Sequence, residues 1–252
     1  MAGNSREPGQ TVASRLLSVL AAFDERHRTL TLTDIADRSG LPRPTAHRII
    51  GELVEWGALF RAESGAYAVG RRLWKLGLLA PDQSGLREIA SPFLQDIYGA
   101  TLATVHLAIR DGDRVLYLDR VSGHKSVPVV SRIGSRLPLH ATGVGKVLLA
   151  YAPADVQERV LGNLTRVTAR TVIHRGHLEN EIRRVHRDGF AQTAEEMSLG
   201  ACSVAVPVRH LDGSVAAAIG IVVPNLQRDR ARLVAALAVA AQGIGRNLPE
   251  RP

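Results

Sequence analysis

The sequence predicts an α+β protein in two parts, a small helical unit closed by a hairpin and a larger antiparallel sheet flanked by helices. Three observations predict it. Residues 31–57 hold two apolar patterns of helical period separated by Ser39-Gly40. From residue 102 onward, strand-like runs meet around Asp111-Gly112-Asp113 and Leu211-Asp212-Gly213, both strong hairpin turns. The strand–helix–strand alternation of a parallel sheet is missing.

Each N-terminal element has a local cause. Residues 1–10, MAGNSREPGQ, read as a disordered tail. Val12, Leu16, Leu17, Val19, Leu20 and Phe23 then form the stripe of an amphipathic helix. Thr33 is expected to cap the next helix, with Asp34 in the first turn, where the helix dipole favours negative charge. Ile35 and Ala36 supply its apolar face, and Gly40 suits a left-handed C-cap. Pro42 and Pro44 are tolerated only where a third helix opens, since its first N–H groups have no intrahelical partner. Along that helix Ala46, Ile49, Ile50, Leu53 and Val54 face a core, while Arg43, Thr45, His47 and Arg48 crowd the other face at its start. Leu59-Phe60-Arg61 and Ala66–Val69 flank Glu63-Ser64-Gly65 as a hairpin.

A tight two-helix turn with a helix before it and a hairpin after it is a winged helix-turn-helix, here residues 11–70. Such a unit lays its second helix in the major groove of DNA. The candidate DNA-binding residues are Thr33, Arg43, Pro44, Thr45, His47 and Arg48. Arginine can donate two hydrogen bonds to guanine, and threonine can touch a thymine methyl or a phosphate. An ordinary helical hairpin with a solvated basic face is the alternative, and the flanking helix and wing weigh against it.

Composition agrees. With 252 residues and 45% hydrophobic content the chain suits two domains, and a net charge of +8 with pI near 10.5 favours polyanionic partners. No apolar run reaches membrane-spanning length, and the polar start lacks the core of an export signal. The single Cys202 excludes an intramolecular disulfide and suits a reducing cytoplasm, the expected location.

Arg71–Ala80 is expected to be a linker helix, residues 71–80, ending before Pro81, with Asp82–Gly85 as a break and residues 81–252 as the second domain. Arg71-Arg72 suits phosphate or a solvated helix start equally well. Helical spacing resumes from Leu86 to Tyr98. Strands are expected at Leu102–Arg110, Arg114–Arg120, Val127–Val130, Ser203–Arg209 and Ser214–Val223. Helices are expected at Gly145–Tyr151, Ala154–Leu161, Leu178–Asp188 and Arg228–Asn247.

The segment Arg132–Ala150, RIGSRLPLHATGVGKVLLA, runs a loop of small residues into a helix beginning near Gly143. The free N–H groups of such a start can hold a carboxylate or phosphate. A Walker loop would need glycine at 140 and Ser or Thr at 147, where the chain has His140 and Val147, so a nucleotide loop is rejected. Cys202 has no histidine tied to it and reads as a pocket or core residue rather than a nucleophile. Glu195-Glu196 diverge as neighbours and read as a surface or pocket-rim pair. His174, His177 and His186 lack an acidic or cysteine ligand to complete a metal site. No catalytic residue, metal or cofactor is expected.

Taken together, LTLTDIADRSGLPRPTAHRIIGELVEWG, the wing ending in YAVG, VLYLDRVSG, GSRLPLHATGVGKVLLA and GFAQTAEEMSLGACSVAVPV resemble the IclR family of bacterial transcription regulators over nearly the whole chain. The resemblance implies a winged helix-turn-helix joined by a linker helix to a GAF-like effector domain. It also implies a homodimer or homotetramer on palindromic double-stranded operator DNA, away from the membrane, and a small organic-acid effector. The effector cup carries over to Leu137, His140, Ala141, Thr142, Gly143 and Val144, with an opposite wall at Thr193, Cys202, Gly220 and Val222. The chain departs from relatives at Gln192-Thr193-Ala194, where several carry an acid, and at Gly220 and Val222, where some have serines. A roomier, less polar pocket for a larger or aromatic carboxylate is therefore expected. An enzyme retaining a DNA-binding domain and a ligand-insensitive DNA-binding protein are the competing readings.

Overall fold

A computed structural model describes residues 11–24, 27–77, 79, 81–124 and 126–249, with backbone alone at 81–84. The tail expected at residues 1–10 lies outside the described residues. The chain divides into two compact units, Met1–Pro81 and Asp82–Pro252.

In the first unit, α1 (Val12–Ala21) precedes β1 (Thr29–Leu30), α2 (Leu32–Ser39) and α3 (Arg43–Trp56). The wing follows as β2 (Leu59–Arg61) and β3 (Tyr67–Val69). The cap of α2 is Thr31, not Thr33. Thr31 Oγ1 accepts from the Asp34 N–H at 3.2 Å, and the Asp34 carboxylate accepts from the Thr31 N–H at 2.9 Å. This reciprocal box needs the acid three residues after the cap, which only position 31 satisfies. The Thr31 hydroxyl and then its N–H hold the Asp34 carboxyl below its ordinary value. Gly40, at φ +68°, ends α2 in the left-handed region. Pro42 is the N-cap of α3 and Pro44 lies in its first turn. Strand β1 pairs with β3 and extends the wing to three strands in the order β1-β3-β2. Two residues are too short to show a period, so it was not foreseen. Val19, Ile35, Ile49, Ile50, Leu53 and Leu59 form the core, while Val54 is half-buried.

Helix α4 (Arg71–Gly77) is followed by α5 (Pro81–Thr101). The break expected at Asp82–Gly85 does not occur. Proline is acceptable at a first helical position, and an interior glycine costs only about 1 kcal/mol.

The second unit is built on one sheet. Its strands are β4 (Thr104–Asp111), β5 (Arg114–Val121), β6 (Arg136–Pro138), β7 (Ala191–Ala194), β8 (Cys202–Arg209) and β9 (Val215–Val223). The order is β6-β5-β4-β9-β8-β7, with every pairing antiparallel. Helices α6 (Gly143–Ala150), α7 (Ala154–Leu161) and α8 (Arg175–Asp188) lie between β6 and β7, and α9 (Arg230–Asn247) closes the unit. No strand forms at Val127–Val130, because Pro128 removes a ladder donor and the nearby β6 takes the edge instead.

Side chains alternate across the sheet. One face carries Val105, Leu107, Val206, Ile219 and Ile221 against α5 and α9. The other carries Ala108, Tyr117, Ala205 and Ala218 beneath α6, α7 and α8. All eight residues of α6 are buried. That second face, toward which α6 points its start, holds the candidate ligand site.

Candidate functional site

Two places in the structure gather the predicted residues. At the start of α3, Arg43, Pro44, His47 and Arg48 are exposed and Thr45 is half-buried; on α2, Thr33 is half-buried. The first turn of α3 contains no acidic residue and no side-chain cap. Its N–H groups and dipole thus present positive potential alongside two arginines. Arg48 Nη1 donates to Glu52 Oε1 at 2.5 Å, one turn along.

The second place is a cavity that encloses about 490 Å³ when the solvent at its open mouth is counted. Every strand of the sheet contributes to it through His106, Tyr117, Leu137, Thr193, Ser203 and Gly220. Thr142, Gly143 and Val144 close it from the start of α6, and Val222 completes the β9 wall. Seven of the ten carried-over positions therefore meet around one space: Leu137, Thr142, Gly143, Val144, Thr193, Gly220 and Val222. His140, Ala141 and Cys202 do not line it. The His140 ring is buried with Nε2 2.9 Å from the Thr165 carbonyl, and Ala141 is fully buried. Cys202 sits next to Ser203 on β8; alternation gives Ser203 the inward place and turns Cys202 away.

Two close approaches shape the wall. A Cβ on Gly143 would lie 2.6 Å from Ser203 Oγ, and one on Gly220 would lie 2.9 Å from Val144 Cγ1. Glycine at both positions lets α6 settle onto the sheet. Thr142 caps α6 by accepting from the Gly145 N–H at 3.1 Å. The N–H groups of Gly143 and Val144 come too early in the helix to have intrahelical acceptors.

The polar groups of the cavity are neutral. His106 is buried, its Nε2 is 2.7 Å from Ser131 Oγ, and its ring meets Tyr117 edge-on at 5.0 Å. Burial, and then the Arg120 charge, push its imidazole down to about 3. Burial pushes the Tyr117 phenol up, against a smaller opposing effect of the Thr142 hydroxyl, so it remains a hydrogen-bond donor. The Thr193 and Ser203 hydroxyls are 2.6 Å apart. Among the described residues, no acidic or cationic side chain lines the cavity.

His106, Tyr117, Ser131 and Ser203 are wall residues that sequence reasoning missed. A polar residue at an inward position of a strand was the available signal for His106 and Ser203. Glu196 departs from the expected rim role, being 5% exposed and paired with the fully buried Lys146 at 2.6 Å. Burial, and then the Glu195 charge, raise the Cys202 thiol, opposite to what a nucleophile needs. No cluster of three or more metal-ligating side chains occurs among the described residues. None of the described helices is long and apolar enough to cross a membrane.

Comparison with known proteins covers both units. The IclR helix-turn-helix domain matches residues 12–62, and the bacterial transcriptional regulator IclR C-terminal domain matches residues 80–246. The chain is 32% identical to the HTH-type transcriptional regulator XynR of Escherichia coli, over 87% of this chain and 88% of that one. It is also 32% identical to the glycerol operon regulatory protein of Streptomyces coelicolor, over 94% of each. Among solved structures, an IclR homolog from Microbacterium hydrocarbonoxydans complexed with 4-hydroxybenzoate superposes with a TM-score of 0.90. It shares 34% identity over 94% of this chain and 99% of that one.

Proposed function

This chain belongs to the IclR family of bacterial transcriptional regulators, and from that membership we propose that it is a cytoplasmic, ligand-responsive repressor, or dual regulator, of a catabolic operon that senses an aromatic carboxylate. The observation that carries the proposal is the cavity between α6 and the sheet. It offers the N–H groups of Gly143 and Val144, neutral donors and apolar walls, with no carboxylate in its lining to repel an acid. The 4-hydroxybenzoate held by the Microbacterium homolog supports a ring-sized acid. Glycine at 220 and valine at 222 leave that part of the wall without a polar side chain.

Arg43, Pro44, Thr45, His47 and Arg48, with Thr33 on the preceding helix, are the proposed contacts to a palindromic operator, read by a homodimer or homotetramer. Ligand changes DNA affinity only to the extent that it binds one arrangement of the assembly better than another. The raised Cys202 thiol is unsuited to act as a nucleophile.

The test combines a gel-shift titration on the upstream intergenic DNA with calorimetry against a panel of acids. Retardation altered by an aromatic acid that also binds in calorimetry is the expected result. Binding of two- and three-carbon oxoacids alone would overturn the aromatic assignment, and DNA binding indifferent to every acid bound would overturn sensing.

A further inference from the structure

Lys146 is the largest charged side chain in the interior, 1% exposed on a helix buried along its whole length. A buried ammonium persists only when it is paired. Its Nζ donates to Glu196 Oε1 at 2.6 Å and lies 2.7 Å from Glu181 Oε2 on α8, off the axis of a hydrogen bond. The two carboxylates are not equivalent. The Glu181 side chain is 29% exposed, although its Oε2 against the lysine is buried, whereas that of Glu196 is 6% exposed and hydrogen-bonded to the lysine.

The position of this pair matters more than its strength. Lys146 lies about one helical turn beyond Thr142 and Gly143 and two residues beyond Val144, and those three residues are cavity wall. Glu196 immediately precedes Met197 and Ser198, which are wall as well. Residues 195–201 form a closed loop, since the Glu195 N–H donates to the Ala201 carbonyl at 2.9 Å and the Gly200 N–H to Glu195 Oε1 at 2.7 Å. Glu195 sits at φ +59°, a left-handed conformation that a non-glycine residue keeps only when its surroundings impose it. The Glu196 carbonyl accepts from Thr171 Oγ1 at 2.8 Å, which fixes the same residue from another side.

We propose that Lys146 and Glu196 are positioning residues of the cavity: their ion pair pins the loop 195–201 to α6, so that two separate parts of the wall keep one geometry. The proposal rests on the effector-cavity reading above. A buried ion pair is a poor source of stability compared with apolar residues of similar volume, so removing both charges together, with Glu181 neutralised so that its buried Oε2 is not left without a cation, leaves the fold largely intact while the pin is lost. A pair that served the fold alone would leave ligand affinity unchanged when both charges are replaced.

The experiment uses the full-length chain with three variants, Lys146→Met, Glu196→Gln and the double Lys146→Met/Glu196→Leu, the double made on a Glu181→Gln background so that no buried carboxylate oxygen is left without its cation. Amide hydrogen exchange is followed over 195–201, with α5 and α9 as internal references, and 4-hydroxybenzoate affinity is measured by calorimetry. In the double variant, exchange over 195–201 is expected to rise at least about tenfold with the reference helices unchanged, and affinity to fall by about the same factor. Glu196→Gln, which keeps a hydrogen bond without the charge, falls between it and the wild type, and it decides the matter if Lys146→Met does not fold. Unchanged protection of 195–201 overturns the pin. Faster exchange with unchanged affinity overturns its link to the cavity. A wild type that binds no aromatic acid sinks the effector assignment instead, and the exchange measurement still decides the pin.

Discussion

His106 Nε2 and Ser131 Oγ meet at 2.7 Å inside the cavity wall, joining a central strand of the sheet to the segment that precedes β6. The ring is neutral in the folded protein, because burial and the nearby Arg120 hold its proton affinity far below that of a free histidine. This pair gives the domain a polar contact that acid alone cannot easily protonate while the fold lasts.

A pH dependence of stability follows. His106 has a folded value of about 3 against an ordinary 6.5, so between those limits the unfolded chain takes up a proton that the native state does not. Its contribution to stability is intact above 6.5 and is lost progressively as the pH falls toward 3. At about 1.4 kcal/mol per unit, lowering the pH from 6.5 to 5 removes roughly 2 kcal/mol. His140, also lowered chiefly by burial, adds in the same direction. Thermal midpoints at pH 7.5 and pH 5 should therefore separate more for the wild type than for His106→Asn. Equal separations would show that the ring is not held neutral.

Arg43→Ala and Arg48→Ala should each weaken operator binding by about 1–3 kcal/mol, roughly 5- to 150-fold, if the side chains reach base edges. If one contacts phosphate instead, the loss is uniform across sequences and the salt slope falls by about one. Glu52→Ala should free Arg48 from its 2.5 Å partner and leave binding unweakened. Fluorescence anisotropy over a salt series distinguishes these outcomes, and unchanged affinity in both arginine variants would remove the proposed assignment.

The two close-approach glycines predict a rescue. Gly143→Ala forces a methyl to 2.6 Å from Ser203 Oγ and should cost about 1–3 kcal/mol through overpacking. The next contacts, Ser203 Cβ and Ala205 Cβ, lie at 3.5 Å. Deleting the hydroxyl should therefore relieve the strain, and Gly143→Ala/Ser203→Ala should recover most of the lost melting temperature. Gly220→Ser has no such remedy, as its Cβ meets Val144 Cγ1 at 2.9 Å and Ala205 Cβ at 3.1 Å. It should lower both stability and affinity for aromatic acids, measured by thermal denaturation and calorimetry.

Thr31→Ala should destabilise the N-terminal unit by about 1 kcal/mol, the usual effect of losing an N-cap, while Thr33→Ala should not. Urea denaturation followed through the DNA-binding unit separates the two. A larger effect at Thr33 would restore the cap to the position expected from sequence.

The α+β class, the wing and most strands were legible because they rest on local patterns. Helix α3 was readable from its proline opening and its apolar spacing, and the two large hairpins from Gly112 and Gly213, both at positive φ. What stayed hidden depends on distant partners. Strand β1 exists only because β3 offers it an edge, and α5 runs through the expected break at Asp82–Gly85. The same holds at the cavity. The wall positions on α6 carried over from the family pattern, but His106 and Tyr117 became wall residues only through the pairing of β4 with β5 and β9. Lys146 and Glu196 stand fifty residues apart in sequence, and no spacing rule joins them.

The strand order has a consequence for synthesis. The central pairing of the sheet joins β4, near residue 104, to β9, which ends at Val223. Contacts within the N-terminal unit span short stretches of chain and can form as it emerges from the ribosome, whereas the sheet must await its last strand. For part of its birth each molecule is thus a finished helix-turn-helix unit trailing an open sheet. A chain released before β9 would keep that unit and lack the wall that Gly220 and Val222 give the cavity.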